Sequence, residues 1–327
     1  MVARLQIAKS YYWATTLLVF VFYISCAQDH KKNNMKRPIE QLYSNVDSLD
    51  YTTMPQYFIE GYQSGCFYEI YINGLLVFRH YENVGLMNHA TPINDMILQS
   101  GLQEVTVKLF PLGKIDDKEY TTIDADDSFR LKIFKRDKKQ PYEAGDYDIV
   151  KEYYAPLTNG LPYYEETFTF EAEVPYNLKG WSESQILTEL DQKELEKEIL
   201  DFYDEYADVI YNQNEEKWVR IVKNRELEYL ISVHYNDSKN SGIQSRIDHS
   251  INVFDSKFKE KYPLDKYEII FGGNGRVVTL KGLIERGESA YYHAIEEVED
   301  GESYKYKYYT YLFLHKPKGS NKLEIIR

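Results

Sequence analysis

The chain has 327 residues, 43% hydrophobic and 28% charged, which is long enough for more than one core and ordinary for a globular protein. Its formal net charge of −13 repels the phosphates of DNA and RNA, which argues against a nucleic-acid partner and leaves attraction to a basic protein open. The 32 tyrosines join apolar rings to polar tips and suit half-buried strands and recognition surfaces.

In chain order the first element is an export signal. Arg4 and Lys9 form a basic start, and Tyr11 to Ile24 is a nearly unbroken apolar run. As a helix the run spans roughly 21 Å against a hydrocarbon core of roughly 30 Å, so residues 1–25 are expected to be a signal peptide and not a membrane span. Tyr23-Ile-Ser-Cys26 resembles a bacterial lipobox, with Tyr23 where leucine is usual. It implies lipidation of Cys26 and a periplasmic or outer-membrane-associated lipoprotein, held to the membrane by the lipid. The alternative is cleavage after Ala27, with small Ser25 and Ala27 in the positions a signal peptidase reads, giving a soluble secreted protein. Residues 26–53 read as a polar tether whose basic stretch, His30 to Arg37, can rest on lipid headgroups. With Cys26 lipidated or removed, Cys66 has no disulfide partner and reads as a small buried hydrophobe.

Residues 54–180 follow a period of two and predict an antiparallel β-sandwich. In CFYEIYINGLLVFRHYE (Cys66 to Glu82), Cys66, Tyr68, Ile70 and Ile72 share one face while Phe67, Glu69 and Tyr71 take the other, facing outward. Asn73-Gly74 supplies the positive φ angles of a tight hairpin, and Leu75 to His80 returns. Val105 to Leu109, Phe129 to Ile133 and Phe168 to Val174 alternate in the same way.

YEIYING and then PINDMILQSGLQEVTVKL, within residues 66–109, resemble galactose-binding-like jelly rolls such as the accessory domains of glycosidases. In that family a strand–Asn-Gly–strand hairpin precedes a helical turn, a glycine and a closing strand. The resemblance implies a jelly-roll-like sandwich and, as an alternative function, carbohydrate binding or processing. Where the family often has Gly-x-Asn, this chain has Gly101-Leu102-Gln103. The chain as a whole is similar to exported proteins of Bacteroidetes-like bacteria, a likeness that carries no function.

Near Gly180 the period changes, and residues 181–327 predict an α+β domain, so the whole is an α+β multidomain protein. Ser182 with Gln185 three residues on reads as a capping box. Leu195, Ile199, Phe202, Tyr206 and Val209 make one helical stripe. Trp218, Ile221, Val222, Arg225 and Tyr229 make a second; Ile243, Ile247, Ile251, Phe254 and Phe258 a third. Tyr267 to Phe271, Arg276 to Lys281, Ser289 to Val298, Ser303 to His315 and Lys322 to Arg327 then predict one antiparallel sheet. This order is compatible with an NTF2-like roll, in which helices pack on a curved sheet.

The search for chemistry yields few candidates. Seven histidines form no His-Glu-x-x-His pattern, and two cysteines cannot build a zinc cluster. Gly272-Gly273-Asn274-Gly275 joins two strands and lacks the helix start of a phosphate loop. His249 reads as a solvated histidine. Asp124, Asp126 and Asp127 crowd one loop and are the candidate Ca²⁺ ligands, although EF-hand spacing is absent. His80, Tyr81, Glu82 and His89, around a loop that includes Asn88, together with Tyr309 and Tyr311 on a late strand, are the candidate binding residues. No catalytic constellation emerges. The reading that follows is a non-enzymatic envelope protein that binds a protein partner, with carbohydrate binding and an enzyme cavity in the C-terminal roll as alternatives.

Overall fold

The structure, a computed structural model, describes residues 36–44, 51–86, 89–141, 145–235, 241–256, 264–299 and 301–327. The expected signal peptide, Cys26, Asn88 and Phe258 lie outside these residues. Among the described residues no helix is long and apolar enough to cross a membrane.

The first described element corrects the tether. Residues 38–44 form helix α1 (Pro38–Ser44), opened by a proline whose missing N–H would be unpaired there anyway. Ile39, Leu42 and Tyr43 fall at i, i+3 and i+4 on one face and are buried among the helices of the C-terminal half. Arg37, just before the helix, adds ion pairs to Glu215 and Asp255 that help to dock it.

The next ten strands are β1 (Pro55–Ser64), β2 (Cys66–Ile72), β3 (Leu75–His80), β4 (Thr91–Pro92), β5 (Gly101–Pro111), β6 (Gly113–Ile115), β7 (Lys118–Tyr120), β8 (Ser128–Asp137), β9 (Asp148–Tyr154) and β10 (Tyr164–Ala172). Two four-stranded antiparallel sheets, ordered β4-β1-β8-β9 and β10-β5-β2-β3, share one core, and β6 with β7 makes a small hairpin. Rings interlock across the core: Tyr57 meets Phe170 at 6.0 Å and Tyr68 meets Phe129 at 5.0 Å between centroids. Asn73 and Gly74 take φ of +52° and +76°, as the hairpin requires. The Asn73 amide also donates to the Met96 carbonyl and to Gln103 Oε1, both at 2.9 Å, fixing the turn to the sheet. Cys66 is fully buried, and burial followed by Asp127 pushes its thiol up to about 12, so it is inert at neutral pH.

The C-terminal half contains α2 (Gln192–Tyr211), α3 (Glu215–Ser232), α4 (Ser241–Asp255), β11 (Tyr267–Gly272), β12 (Val277–Gly282), β13 (Tyr292–Glu299), β14 (Glu302–Tyr309), β15 (Leu314–His315) and β16 (Glu324–Ile325). The expected cap at Ser182 is not a helix start. Ser182 Oγ bonds the Lys179 carbonyl in a turn, and α2 begins ten residues later, where Asp191 accepts from the Lys193 and Glu194 amides at 3.0 Å. The expected single sheet is two: β11-β12-β15-β16, and a separate β13-β14 hairpin. The stretch Ser303 to His315 breaks after Tyr309.

One side chain accounts for part of that break. In the β12–β15 register Val277 faces His315 and Val278 faces Leu314, which would bring Leu280 opposite Leu312. The buried Tyr203 hydroxyl of α2 stands there instead, accepting from the Leu280 amide and donating to the Leu312 carbonyl, each at 3.2 Å. A tyrosine thus substitutes for a ladder bond and holds the strands apart.

The four-stranded sheet belongs to two interiors at once. Val278, Leu280, Leu314 and Ile325 pack with the helices, whereas Val277, Phe313 and Ile326 join the core of the N-terminal sheets. The molecule is a β-rich α+β fold with two hydrophobic cores that share a wall. Gly272 and Gly74 meet at that wall; a Cβ built on Gly272 would lie 2.4 Å from the Gly74 carbonyl oxygen.

Candidate functional site

The residues expected to bind are distributed by the fold, not gathered. His80 is buried, its Nε2 2.7 Å from the Val84 carbonyl and its ring tilted on Tyr68, while exposed His89 lies against Phe78. Glu82 is exposed. Tyr81 and Tyr311 come together at the wall between the two halves, where Glu69 corrects an expectation. Glu69 was expected to face solvent, yet it is 2% exposed, because the C-terminal sheet covers its face of β2. Burial would raise its carboxyl, but hydroxyl donation from Tyr71 (2.5 Å) and Tyr81, with Lys281 Nζ at 3.4 Å, holds it below the usual range. Tyr311 bonds the Gly287 carbonyl at 2.6 Å beneath the Arg79 guanidinium, and the Tyr309 ring lies 5.2 Å from that of Tyr292. The cleft at this wall, about 40 Å³, is too narrow for more than a water. It is a joint.

In the expected calcium loop two of the three carboxylates accept from backbone amides. Asp124 accepts from the Gly160 amide at 3.0 Å, Asp127 accepts from the Asp124 amide at 2.7 Å, and Asp126 is exposed. Among the described residues no three His, Cys, Asp or Glu side chains are grouped to hold a metal ion.

The site with chemical content lies in the C-terminal half, in a cavity of about 170 Å³. Five elements build it. On α3 the buried positions 218, 222, 226 and 230 recur every four residues, and the third is a glutamate. Helical periodicity therefore drives Glu226 into the interior, where it is 0% exposed. Such a carboxylate persists only if every lone pair is answered. Arg225 donates Nε and Nη2 to Oε1 at 2.9 and 2.6 Å; Arg246 of α4 donates Nε to Oε2 at 2.7 Å and Nη2 to Oε1 at 2.8 Å. Tyr43 of α1 donates to Oε2 at 2.7 Å. Burial alone would raise the carboxyl; the two guanidiniums and the tyrosine outweigh it and hold Glu226 at about 2.

Above this floor the wall is aromatic. The Trp218 and Phe254 rings meet edge-on at 5.7 Å, and the Trp218 indole donates to the Tyr206 hydroxyl at 3.3 Å. His293 of β13 also lines the cavity, stacked on Tyr308 at 5.6 Å, with neither buried ring nitrogen hydrogen-bonded. Burial, then the neighbouring His249, lowers its pKa to about 4, so it stands neutral at pH 7 with one donor and one acceptor open. His249, read from sequence as solvated, is exposed where it lines the same cavity.

Two other concavities are larger, about 550 and 660 Å³, but the first is walled by exposed side chains such as Gln140, Asp146 and Glu173, and the second by surface charges on α2 and α3. Neither brings buried polar groups to converge. Glu226, Tyr43 and His293 escaped the sequence reading. The signal for Glu226 was present: a charge at every-fourth-residue spacing from Trp218 and Val222. Nothing local marked His293.

No protein-family model, curated protein or solved structure matches the chain.

Proposed function

We propose that this is an exported, membrane-tethered, non-enzymatic binding protein of the cell envelope whose ligand site is the C-terminal cavity. The leader and the Tyr23–Cys26 segment support export and tethering. The two-sheet half is read as jelly-roll-like, and the helices over β11-β12-β15-β16 as an NTF2-like roll with its pocket between layers. One observation carries the reading: a cavity of about 170 Å³ in which a histidine keeps both buried ring nitrogens open. For comparison, a protein cavity of about 150 Å³ accepts benzene. A pocket that is mostly apolar with a few placed polar groups is the usual form of a small-molecule site.

The same geometry favours binding over catalysis. A general base works best with a pKa near the operating pH, whereas Glu226 is held at about 2 and His293 at about 4. No carboxylate is bonded to His293 to orient it. Recognition of a protein through the candidate loop residues has less support, since Tyr81 and Tyr311 are tied into the joint.

A thermal-shift screen of small cyclic compounds against the full chain tests the proposal. Ser250 is half-buried and lines the cavity, so Ser250→Trp narrows it. Compounds that raise the melting temperature of the wild type but not of Ser250→Trp support the cavity as the site. Compounds that stabilise both equally, or none at all, contradict it.

A further inference from the structure

The residues around the cavity specify the chemistry of its occupant. Glu226 is the only carboxylate among the described residues that line it, and both of its oxygens are taken by Arg225, Arg246 and Tyr43. It has nothing left to offer a cationic ligand. Two guanidiniums against one carboxylate leave a surplus positive charge in the lining. Asp95 also acts on Arg246, but from outside the cavity, and it is shared with Arg327. Each guanidinium holds Glu226 through its Nε and Nη2, and neither uses Nη1 in a hydrogen bond among the described residues. A partly enclosed cationic site with unused N–H groups favours an anion, because a carboxylate there accepts charge-assisted hydrogen bonds.

The remaining wall sets the shape. Trp218, Tyr206 and Phe254 present ring surface, and the cavity volume matches one six-membered ring with a small substituent. His293, with both nitrogens open, can hydrogen-bond a hydroxyl or carbonyl on that ring.

We propose that the C-terminal cavity binds a small cyclic or aromatic monocarboxylate, its anionic group toward Arg225 and Arg246 and its ring against the aromatic wall of Tyr206, Trp218 and Phe254. This rests on the cavity being the ligand site, and it adds the charge and the class of ligand.

Isothermal titration of the full chain with benzoate, benzamide and acetate separates the two claims. Benzoate should bind, and benzamide, the same shape without charge, should bind about tenfold more weakly or worse. Acetate, which has the charge but no ring, should also lose about tenfold or more. Arg246→Lys keeps the charge near Glu226 while removing the fork, and should weaken benzoate more than benzamide; a single cooperative melting transition shows that the variant is folded. Benzamide binding as tightly as benzoate overturns the anion assignment and leaves the cavity reading standing. Benzoate binding unchanged in Ser250→Trp places benzoate elsewhere and overturns this inference. Absence of binding by all three probes overturns this inference, while the thermal-shift screen decides the cavity reading independently.

Discussion

Arg246 on α4 donates its Nε to Glu226 on α3 at 2.7 Å, joining two helices through a carboxylate with no solvent exposure. Deleting one member of a buried ion network leaves the others charged and unpaired. Glu226→Ala should therefore cost about 3–5 kcal/mol, read as a lower urea midpoint. A cost below about 1 kcal/mol would mean the cluster is solvated.

The same carboxylate sets an acid limb. Its folded pKa, about 2, lies below the ordinary 4.5, so its contribution is complete above pH 4.5 and is lost as pH falls towards 2. The linkage is about 3 kcal/mol over that window. Denaturation midpoints measured against pH should fall steeply there in the wild type and more gently in Glu226→Gln.

A second window belongs to two histidines. Burial is the first cause of the lowered pKa of both His293 and His315, each about 4 against an ordinary 6.5. Depressed in the fold, they contribute fully above pH 6.5, and the contribution drains away as pH falls to 4. His315 keeps its Nδ1 2.7 Å from Ser184 Oγ. NMR titration should show its C2 proton moving with a midpoint near 4, and a midpoint near 6.5 would contradict its burial.

Tyr203 offers a test of the interrupted ladder. Tyr203→Phe keeps the ring but strands the Leu280 N–H and the Leu312 carbonyl, which should cost about 1–3 kcal/mol. Hydrogen exchange at Leu280 should accelerate with it. Unchanged protection there would show that β12 and residue 312 pair directly.

The wall between the two halves is tested at Gly272, which has ordinary backbone angles, so only space is at issue. An alanine Cβ would meet the Gly74 carbonyl at 2.4 Å, backbone against backbone. Gly272→Ala should cost about 1–3 kcal/mol in thermal or urea unfolding. No loss would mean the halves separate freely.

Where alternation or helical spacing was long and uninterrupted, the sequence was a good guide. Leu75–His80 is a strand to the residue, and Leu195, Ile199 and Val209 are buried on α2 as their spacing requires. The failures share a physical origin in contacts distant along the chain. Glu69 occupies an outward position of β2, but the C-terminal sheet covers that face, a distance of 212 residues in sequence. The segment Ser303 to His315 has strand composition throughout, yet a helix tyrosine and a change of sheet divide it. Polar content around residue 40 hid the three residues that dock α1. Likewise, half of the cavity was readable from α3 alone, whereas Tyr43 and His293 reach it from 183 residues before Glu226 and from the far side of α4.

The most direct measurement is a crystal structure of the protein soaked with benzoate. Ring density against the Tyr206, Trp218 and Phe254 wall, with the carboxylate within hydrogen-bonding distance of Arg225 and Arg246, is the expected result. A cavity filled by repacked side chains, or benzoate bound only on the open grooves, would contradict the assignment.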